Sequence, residues 1–375
     1  MKYQFIIYSF IGRLLSIIPG KNNNIWVFGA RDGFEYADNS KYLFEWILSK
    51  KKNINPYWIT RDKNIVGSNF LYFYSLKTQW IISRASNAIC SHGSNDITLF
   101  LSKKINYILL WHGIPIKKIG IDTNSSTGKN NILWSIIKKI LNVKKTPDLF
   151  LATSESQKEI FKKAFSIPHS NIFIAQYPRI TYMLESIKKT YNSKKYILYA
   201  PTFRDNVSPD YYSINNIIPN DNILLKINES LQKINYTLLI KPHPYIPIEA
   251  EKTKSLSNIT LIHKTDDILK YLVSCDVLLT DYSGVFFDFL MLSKPIIFFS
   301  PDLNWYLSEN NRGLYYDYEN FVPGPIVSTW DEMLTMLSNS DFYSPYKEKS
   351  HTLKENIFSH PQNKNDFIFH KIITL

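Results

Sequence analysis

The sequence predicts an α/β fold with two domains. Short apolar runs typical of buried strands alternate with runs of helical periodicity along most of its 375 residues, and strands that alternate with helices form parallel sheets. This length is sufficient for two domains of ordinary size. The alternation starts anew after a polar, basic stretch at 185–195, which is typical of a domain boundary. We therefore expect one domain at 1–190 and a second at 191–375.

The composition indicates a folded protein with an anionic partner. Hydrophobic residues make up 45% of the chain and aromatic residues 15%, which excludes wholesale disorder. The formal net charge of +12 suits a nucleotide, a phosphorylated polymer or a membrane surface. No zinc-finger spacing, aromatic RNA-binding signature or basic helix with heptads is present, so we expect no nucleic-acid partner. Cys90 and Cys275 lie far apart in apolar surroundings, so we expect two buried thiols and no disulfide.

Residues 3–18 form a largely apolar run that Arg13 interrupts. The run is too short for a membrane span, and no small-residue cleavage site follows it, so we expect no secretory signal. Two interpretations remain open. The run is either an amphipathic helix that lies on a membrane surface or a helix that packs on the first domain.

The first half of the chain predicts a parallel sheet whose strands end in polar residues. A strand at 25–29, a helix at 39–48 and a strand at 56–60 have the spacing of a right-handed crossover. Further strands are predicted at 88–93 and 105–111. The carboxyl ends of parallel strands border the binding crevice of such sheets, so we expect ligand contacts there.

His112 directly follows the strand at 105–111, and Gly113 and Pro115 come next. Gly113 permits the close approach of another backbone, and Pro115 restricts the loop. The imidazole is therefore held at a strand end, where such folds place catalytic groups. We interpret His112 as a catalytic or ligand-facing residue. The alternative is a structural histidine that bonds a backbone carbonyl.

The second half of the chain predicts a second parallel sheet. Strands at 196–200, 236–240 and 276–279 are each followed by polar loops that contain Pro or Gly. Because the carboxyl ends of parallel strands meet at one edge of a sheet, we expect these loops to share a site. The side chains concerned are Arg204, Lys241, His243 and Ser283.

The turn at Ser283-Gly284 lies where a predicted strand leads into a helix. The first backbone N–H groups of a helix lack partners within it and the helix dipole is positive there, so such a turn can bind a phosphate. The alternative is an ordinary Ser N-cap with a Gly that fits the turn. No Walker A, G-x-G-x-x-G, G-x-S-x-G or H-E-x-x-H motif is present.

Five stretches together resemble one family, the CDP-glycerol glycerophosphotransferases of teichoic acid synthesis. The stretch WHGIPIKKIG at 111–120 resembles the W-H-G-T-P-L-K-K motif of that family, and TDYSGVFFD at 280–288 resembles T-D-Y-S-S-V-x-F-D. The others are YAPTFRD at 199–205, KPHP at 241–244, and Arg312-Gly313 with the later Pro323-Gly324-Pro325. Each motif alone is weak, but five in order are a specific signal.

The resemblance implies the GT-B arrangement, in which two Rossmann-like domains face each other across a cleft. The nucleotide would lie mainly on the C-terminal domain and the acceptor on the N-terminal one. The implied donor is CDP-glycerol, or CDP-ribitol as in related enzymes, and the implied acceptor is an anionic polymer or a lipid-linked glycan. Similar proteins build capsule as well as wall polymers. The implied location is cytoplasmic, peripheral on the inner leaflet of the cell membrane.

Three positions depart from the family pattern. Ile114 replaces the usual Thr, and Gly284 replaces the usual second Ser, so we expect one hydroxyl fewer near the phosphates. The stretch YPRIT at 177–181 lacks the usual R-N-D ending. These departures leave the alditol of the donor open.

The motifs motivate a hypothesis for the reaction. An acceptor hydroxyl attacks the β-phosphorus of CDP-glycerol, releases CMP and forms a phosphodiester. We expect His112 to act as the general base, because the ordinary pKa of imidazole lies near neutral pH. We expect His243 and Arg312 to stabilise the pyrophosphate as charge moves to the leaving CMP.

The remaining motif residues are expected to bind substrate. Ser283 and the Gly284 N–H would hold a phosphate, Asp288 would accept a ribose hydroxyl or cap a loop, and Lys241 is either a ligand contact or structural. No D-x-D carboxylate pair ends a strand, so we expect neither a tightly bound metal nor a cofactor. The full set is Gly113, Lys117, Thr202, Arg204, Lys241, Thr280, Asp281, Ser283, Gly284, Asp288 and Arg312.

Two other functions compete with this hypothesis. A GT-B glycosyltransferase would use a nucleotide sugar and keep His112 as its base, and turnover of UDP-, GDP- or CMP-sugars would identify it. A non-catalytic, membrane-bound protein would bind anionic glycan without releasing nucleotide. The histidines in both loops argue against the second.

Overall fold

The computed structural model describes residues 2–375 except 52, 124–135, 138, 188–193, 206, 209, 244–245, 247–252, 254, 265 and 309–312. The chain divides into two compact units. Unit 1 consists of Met1–His112, Ser126–Tyr182 and Phe358–Leu375, and unit 2 consists of Gly113–Ser125 and Met183–Ile357.

This division differs in two places from the predicted boundary between residues 190 and 191. The segment Gly113–Ser125 belongs to unit 2, where the Lys118 N–H donates to the Gly313 carbonyl at 3.0 Å. The segment Phe358–Leu375 belongs to unit 1, where Phe369 stacks on Trp26 with ring centroids 5.4 Å apart. Both corrections rest on contacts between residues distant in sequence, which local patterns do not reveal.

Unit 1 is built on a parallel sheet with the strand order β3-β2-β1-β4-β5-β6-β7 among the described residues. The predicted strands of the first half are confirmed with ends that differ by a few residues, whereas the short edge strand β3 was not predicted. The strands are β1 (Asn22–Gly29), β2 (Asn55–Thr60), β3 (Phe70–Tyr72), β4 (Ala85–Cys90), β5 (Asn106–Leu109), β6 (Leu149–Ala152) and β7 (Ile172–Ile174).

The helices of unit 1 cover the faces of this sheet, which is buried along β4 and β6. A sheet covered on both faces is expected for parallel strands joined by helical crossovers. The helices are α1 (Lys2–Leu15), α2 (Asp38–Lys50), α3 (Leu76–Arg84), α4 (Glu155–Phe165) and α5 (Pro178–Glu185), of which the residues after Tyr182 belong to unit 2.

Helix α1 has one packed face and one exposed face. Phe5 is buried, and its ring centroid lies 5.0 Å from that of Phe73. The interpretation of residues 3–18 as a helix that packs on the first domain is thus confirmed for this face. The other face exposes Ile7, Phe10 and Leu14. Among the described residues, no helix combines the length and the hydropathy that crossing a membrane requires.

Unit 2 is built on a second parallel sheet, with the order β10-β9-β8-β11-β12-β13 among the described residues. The strands predicted at 196–200, 236–240 and 276–279 are confirmed, and the two-residue edge strand β13 was not predicted. The strands are β8 (Lys195–Ala200), β9 (Tyr236–Ile240), β10 (Ile259–Leu261), β11 (Val277–Thr280), β12 (Ile296–Phe299) and β13 (Ile326–Val327).

The core of unit 2 joins this sheet to the helices that follow its strands. Leu224, Ile227 and Leu231 lie on one face of α7 at helical spacing and are buried against the sheet. The helices are α6 (Tyr211–Ile214), α7 (Asp221–Lys233), α8 (Ile268–Ser274), α9 (Val285–Leu290), α10 (Leu303–Leu307), α11 (Tyr318–Phe321), α12 (Trp330–Ser338) and α13 (Lys347–Ile357).

Helix α14 (Asn365–Ile373) returns to unit 1. The prediction of two buried thiols is confirmed, because Cys90 and Cys275 are both buried and unpaired.

Candidate active site

The strand order reverses at one point in each sheet. In unit 1 the chain runs from β1 outward to β2 and β3, then returns to β4 on the other side of β1. In unit 2 it runs from β8 to β9 and β10, then returns to β11. The carboxyl ends of the strands at such a point border the crevice in which open α/β sheets bind ligands.

His112 lies just beyond the carboxyl end of β5 in unit 1. Its Nδ1 is 3.4 Å from the Ser91 carbonyl oxygen. A carbonyl can only accept, so Nδ1 carries the proton in this arrangement and Nε2 keeps its lone pair. Burial lowers the pKa of the His112 imidazole to about 4, although Asp38 attracts the proton. The ring is therefore neutral at pH 7 and able to accept a proton at Nε2.

The backbone around His112 is held in an unusual conformation. Trp111 has a φ of 57°, a left-handed conformation that is rare for a bulky residue and persists only where neighbours enforce it. The Asn39 side-chain amide donates to the Trp111 carbonyl at 2.8 Å, and Arg179 donates to the His112 carbonyl at 2.6 Å. Gly113 has a φ of 144°, which explains the need for glycine.

Four charged or titratable residues that no sequence motif indicated surround His112. The His92 ring lies parallel to the His112 ring, with centroids 4.3 Å apart. The Asp38 carboxylate lies 2.9 Å from Arg31 Nε, 3.5 Å from His92 Nε2 and 3.7 Å from Arg179 Nη1. One signal was available in the sequence: Ser91-His92-Gly93 ends a strand with His-Gly, as His112-Gly113 does.

These contacts set the ionisation of the cluster. Burial by itself would raise the pKa of Asp38, but Arg31, His92 and Arg179 outweigh this effect and lower it to about 2. Burial lowers the pKa of His92 to about 3 against the attraction of Asp38. At neutral pH the cluster thus contains one carboxylate, two guanidinium groups and two neutral imidazoles.

In unit 2, the Ser283-Gly284 turn joins β11 to α9. Ser283 Oγ accepts the Val285 N–H at 3.3 Å, as a capping serine does. A Cβ at position 284 would lie 2.6 Å from the Ile114 carbonyl oxygen. The absence of the family's second Ser is thus explained by close packing of the segment after His112 on this turn. Helix α9 has six residues, so its dipole is small.

We predict that Gly284→Ser destabilises unit 2. The added Cβ forces the Ile114 carbonyl or the turn to move, and overpacking of this kind typically costs about 1–3 kcal/mol. Denaturant unfolding monitored by fluorescence measures the loss. Gly93→Ala is the matched control, because a Cβ at Gly93 meets nothing within 4 Å. Equal stability of Gly284→Ser and the unmodified protein would contradict the prediction.

The second half of the WHGIPIKKIG stretch pairs with the segment after position 312. Lys117 bridges to Leu314 in an antiparallel arrangement, and the Tyr315 N–H donates to the Ile116 carbonyl at 2.9 Å. Lys117 Nζ lies 5.3 Å from the centre of the Tyr306 ring. The structure thus brings together two motifs that are separate in sequence. Arg312 lies outside the described residues.

Arg204 was predicted to bind substrate, and the structure corrects this interpretation. Its side chain is fully buried. Its guanidinium donates to Asp281 and, at 2.8 and 3.0 Å, to the two carboxylate oxygens of Asp302. Asp281 also accepts the Thr202 N–H at 2.9 Å. Arg204 and Asp281 therefore link the loops after β8 and β11. This buried ion-pair network holds the two loops in position.

Three other residues that were predicted to contact substrate are buried, as Arg204 is. Thr280 is buried and donates to the Ala200 carbonyl at 2.8 Å. Lys241 is buried, and its Nζ donates to the Lys264 carbonyl at 2.7 Å, which favours its structural alternative. Asp288 is buried on α9, a position that does not favour contact with a ribose.

His243 follows β9 and is half-buried. Its ring stacks on Phe203, with centroids 5.4 Å apart and an interplanar angle of 28°. The loops after β8 and β9 therefore meet through these two side chains. The predicted residues of unit 2 that are partly exposed, and can therefore meet a ligand, are Thr202, Ser283, Gly284, His243, Gly113 and Lys117.

Each unit carries polar groups at the carboxyl ends of a parallel sheet, and unit 1 holds a neutral histidine whose Nε2 can accept a proton. Fold and site together define an α/β protein with polar groups at the edge where such sheets bind ligands. The chain belongs to the CDP-Glycerol:Poly(glycerophosphate) glycerophosphotransferase family, whose model matches residues 11–366. It is therefore a transferase, and the resemblance inferred from its motifs is confirmed.

Relatives with known roles match nearly the whole chain. The teichoic acid poly(glycerol phosphate) polymerase of Bacillus spizizenii is 27% identical, over 96% of this chain and 93% of its own. The teichoic acid glycerol-phosphate transferase of Staphylococcus aureus is 28% identical, over 88% of this chain and 86% of its own. A teichoic acid poly(ribitol-phosphate) polymerase of Bacillus spizizenii is 24% identical, over 91% of this chain and 55% of its own.

A solved structure shares the fold. The wall teichoic acid polymerase TagF superimposes with a TM-score of 0.79 at 23% identity, over 98% of this chain and 94% of that chain. The α/β fold with parallel sheets is thus confirmed.

Proposed function

We propose that this protein transfers glycerol phosphate from CDP-glycerol to a hydroxyl group of a polymer or lipid-linked glycan, releasing CMP, in the synthesis of teichoic acid or a capsular polymer. The observation that carries the proposal is the family match over residues 11–366. The names of the glycerol-phosphate relatives agree with it.

In the proposed reaction, His112 Nε2 takes the proton of the acceptor hydroxyl. The acceptor oxygen then bonds to the β-phosphorus of CDP-glycerol, and the bond from that phosphorus to the bridging oxygen breaks. CMP leaves with the bonding electrons, and a phosphodiester forms. Support for this role is the Ser91 carbonyl contact, which leaves the Nε2 lone pair available.

Unit 2 supplies the donor site in this proposal. His243, Ser283 and the Gly284 N–H would contact the pyrophosphate, and Lys117 would add positive charge. The Arg204–Asp281–Asp302 network would act indirectly, because it holds the loops after β8 and β11 in place. Arg312 stays a predicted phosphate contact.

The proposal includes the GT-B arrangement, with the acceptor on unit 1 and the donor on unit 2. Chain connectivity supports it. His112 is the last residue of one segment of unit 1, and the next residue, Gly113, begins the segment that packs within unit 2. The base and a donor loop are thus neighbours in sequence.

The test is CMP release by the purified full-length protein, measured by liquid chromatography with CDP-glycerol, CDP-ribitol or a UDP-sugar as donor. We expect release from CDP-glycerol in the presence of a glycerol phosphate oligomer. Faster release from CDP-ribitol would favour the ribitol alternative, for which the ribitol-phosphate relative is the supporting observation. Turnover of the UDP-sugar alone would overturn the proposal.

We further propose that α1 lies on the inner leaflet of the cell membrane. Its outer face carries Tyr3, Ile7, Phe10 and Leu14 at helical spacing, and Tyr3 is 82% exposed. An apolar stripe on a basic protein fits an interfacial helix that binds anionic lipid.

The triple variant Ile7→Ser, Phe10→Ser, Leu14→Ser should lose co-sedimentation with anionic phospholipid vesicles. Burial of three such side chains in lipid contributes several kcal/mol, so we expect a loss of at least about tenfold in the bound fraction. The matched control replaces three exposed apolar residues elsewhere, Val66, Ile214 and Leu225, by Ser. Equal vesicle binding by both triple variants would refute the α1 contact.

A further inference from the structure

The cluster around His112 contains groups that the proposed reaction does not yet use. His92 and Asp38 are both largely buried, with 23% and 12% of their side-chain surface exposed. They belong to different elements, since His92 follows β4 and Asp38 begins α2. The buried Asp38 carboxylate is paired with Arg31 and Arg179, and the proposed reaction assigns no part to it or to His92.

The hydrogen bonds assign opposite tautomers to the two stacked rings. The Arg31 N–H donates to His92 Nδ1 at 3.3 Å, so Nδ1 of His92 is an acceptor and its proton is on Nε2. That Nε2 is buried, has no hydrogen-bond partner among the described residues and lies 3.5 Å from the Asp38 carboxylate. His112 is the reverse, with its proton on Nδ1 facing the Ser91 carbonyl.

The backbone that carries His92 is held by a second carboxylate. Asp96 accepts the N–H groups of Ser91, His92 and Gly93 at 3.1, 2.8 and 3.3 Å and that of Asp32 at 2.9 Å. The loops after β1 and β4 are thereby joined. The backbone that carries His92 is thus fixed, and the His92 ring lies parallel to the His112 ring.

We propose that Asp38 and His92 are positioning residues for His112. The negative charge of Asp38, 3.5 Å from His92 Nε2, favours the Nε2–H form of His92, and the His92 ring, stacked on His112, keeps the His112 ring oriented with Nε2 available to the acceptor hydroxyl. Asp38 also stabilises the positive charge that His112 gains with the proton. This inference rests on the proposed role of His112 as the general base.

The charges that face His112 oppose one another, and this makes the inference testable. Asp38 from α2 favours the protonated ring, whereas Arg31 after β1 and Arg179 from α5 disfavour it. The neutral His92 ring lies against one face, and Asp96 lies behind His92 at 4.0 Å. Removal of the Arg31 charge should therefore raise the pKa of His112, and removal of the Asp38 charge should lower it.

The first experiment is NMR on the full-length protein labelled with ¹⁵N-histidine, with signals assigned through single His→Gln variants. We expect the Nδ1–H form for His112 and the Nε2–H form for His92 at pH 7. Arg31→Gln should raise the titration midpoint of His112 and Asp38→Asn should lower it, each by about one pH unit. The control Lys21→Gln removes the same charge at the opposite end of β1 and should leave the midpoint unmoved.

The second experiment is the pH profile of CMP release. Asp38→Ala should lower kcat about 10–100-fold with little change in KM for the donor, and Asp38→Asn should recover part of the loss, because asparagine keeps the shape of the side chain and an oxygen close to His92 Nε2. The acid limb of Arg31→Gln should move upward in pH. A loss confined to KM would mean a merely structural role and would overturn the inference.

The two experiments separate the inference from the proposed function. Absence of CMP release by the unmodified protein would end the proposed function, while the NMR result would still decide whether Asp38 and His92 orient His112. Identical tautomers for the two rings, or midpoints that shift in the same direction in Arg31→Gln and Asp38→Asn, would overturn the inference.

Discussion

His112→Asn is expected to reduce the rate of CMP release from CDP-glycerol by about 10²–10⁴-fold, the range that a positioned general base contributes. Asparagine can still donate to the Ser91 carbonyl, but it has no nitrogen that accepts a proton at neutral pH. The effect should appear in kcat, because the loss concerns the transition state and not the binding of the donor. Steady-state kinetics with saturating acceptor measures it.

A surface histidine provides the matched control for this variant. The His169 side chain is 53% exposed and lies 3.6 Å from Glu159, so His169→Asn should leave the rate unchanged. His243→Ala should also lower the rate, since His243 is proposed to stabilise the pyrophosphate. If both His112→Asn and His243→Ala remain within about tenfold of the unmodified protein while folded, neither histidine takes part in the chemistry.

Arg204→Met is expected to cause the largest loss of stability. The substitution keeps much of the side-chain volume but leaves Asp281 and Asp302 buried without their cation. Breaking a buried ion pair by removing one partner costs about 3–5 kcal/mol. The loop that contains Thr202 and the Ser283-Gly284 turn should then no longer be joined by the Arg204 ion pairs. Denaturant unfolding measures the change in the free energy of unfolding.

An exposed ion pair in the same unit is the control for Arg204→Met. Lys226 lies 2.7 Å from Asp331, and their side chains are 58% and 65% exposed. Exposed pairs contribute about 0–1 kcal/mol, so Lys226→Met should be nearly neutral. Adding Asp281→Asn and Asp302→Asn to Arg204→Met should restore part of the stability, because the uncompensated charges are removed. Equal unfolding of Arg204→Met and Lys226→Met would refute the structural role of Arg204.

Much of the fold was predictable from local patterns. The strands around 25–29 and 236–240 are apolar runs bounded by polar residues. Such runs can be recognised in a sequence because a strand buried on both faces of a parallel sheet is continuously hydrophobic. The edge strand at 70–72 was missed because it is three residues long and half-buried. The return of Phe358–Leu375 to unit 1 was missed because it depends on ring packing across the length of the chain.

The candidate site was predicted unevenly. His112 was found because a histidine after a strand and before glycine has a recognisable position. Arg204 was assigned to substrate because its loop follows a strand at the shared edge of the sheet, and no local pattern shows that two carboxylates distant in sequence enclose it. Asp38 was missed for the same reason, since its partners Arg31, His92 and Arg179 come from three separate segments.

The sequence by itself determined the α/β class, the family and the histidine at the strand end, because these depend on residue types at short, ordered spacings. Only the tertiary structure decided which charged side chains are exposed to solvent and which form ion pairs with one another. Burial and ion pairing depend on distances in space. Those distances are set by the order of the strands in each sheet, which brings together segments far apart in sequence.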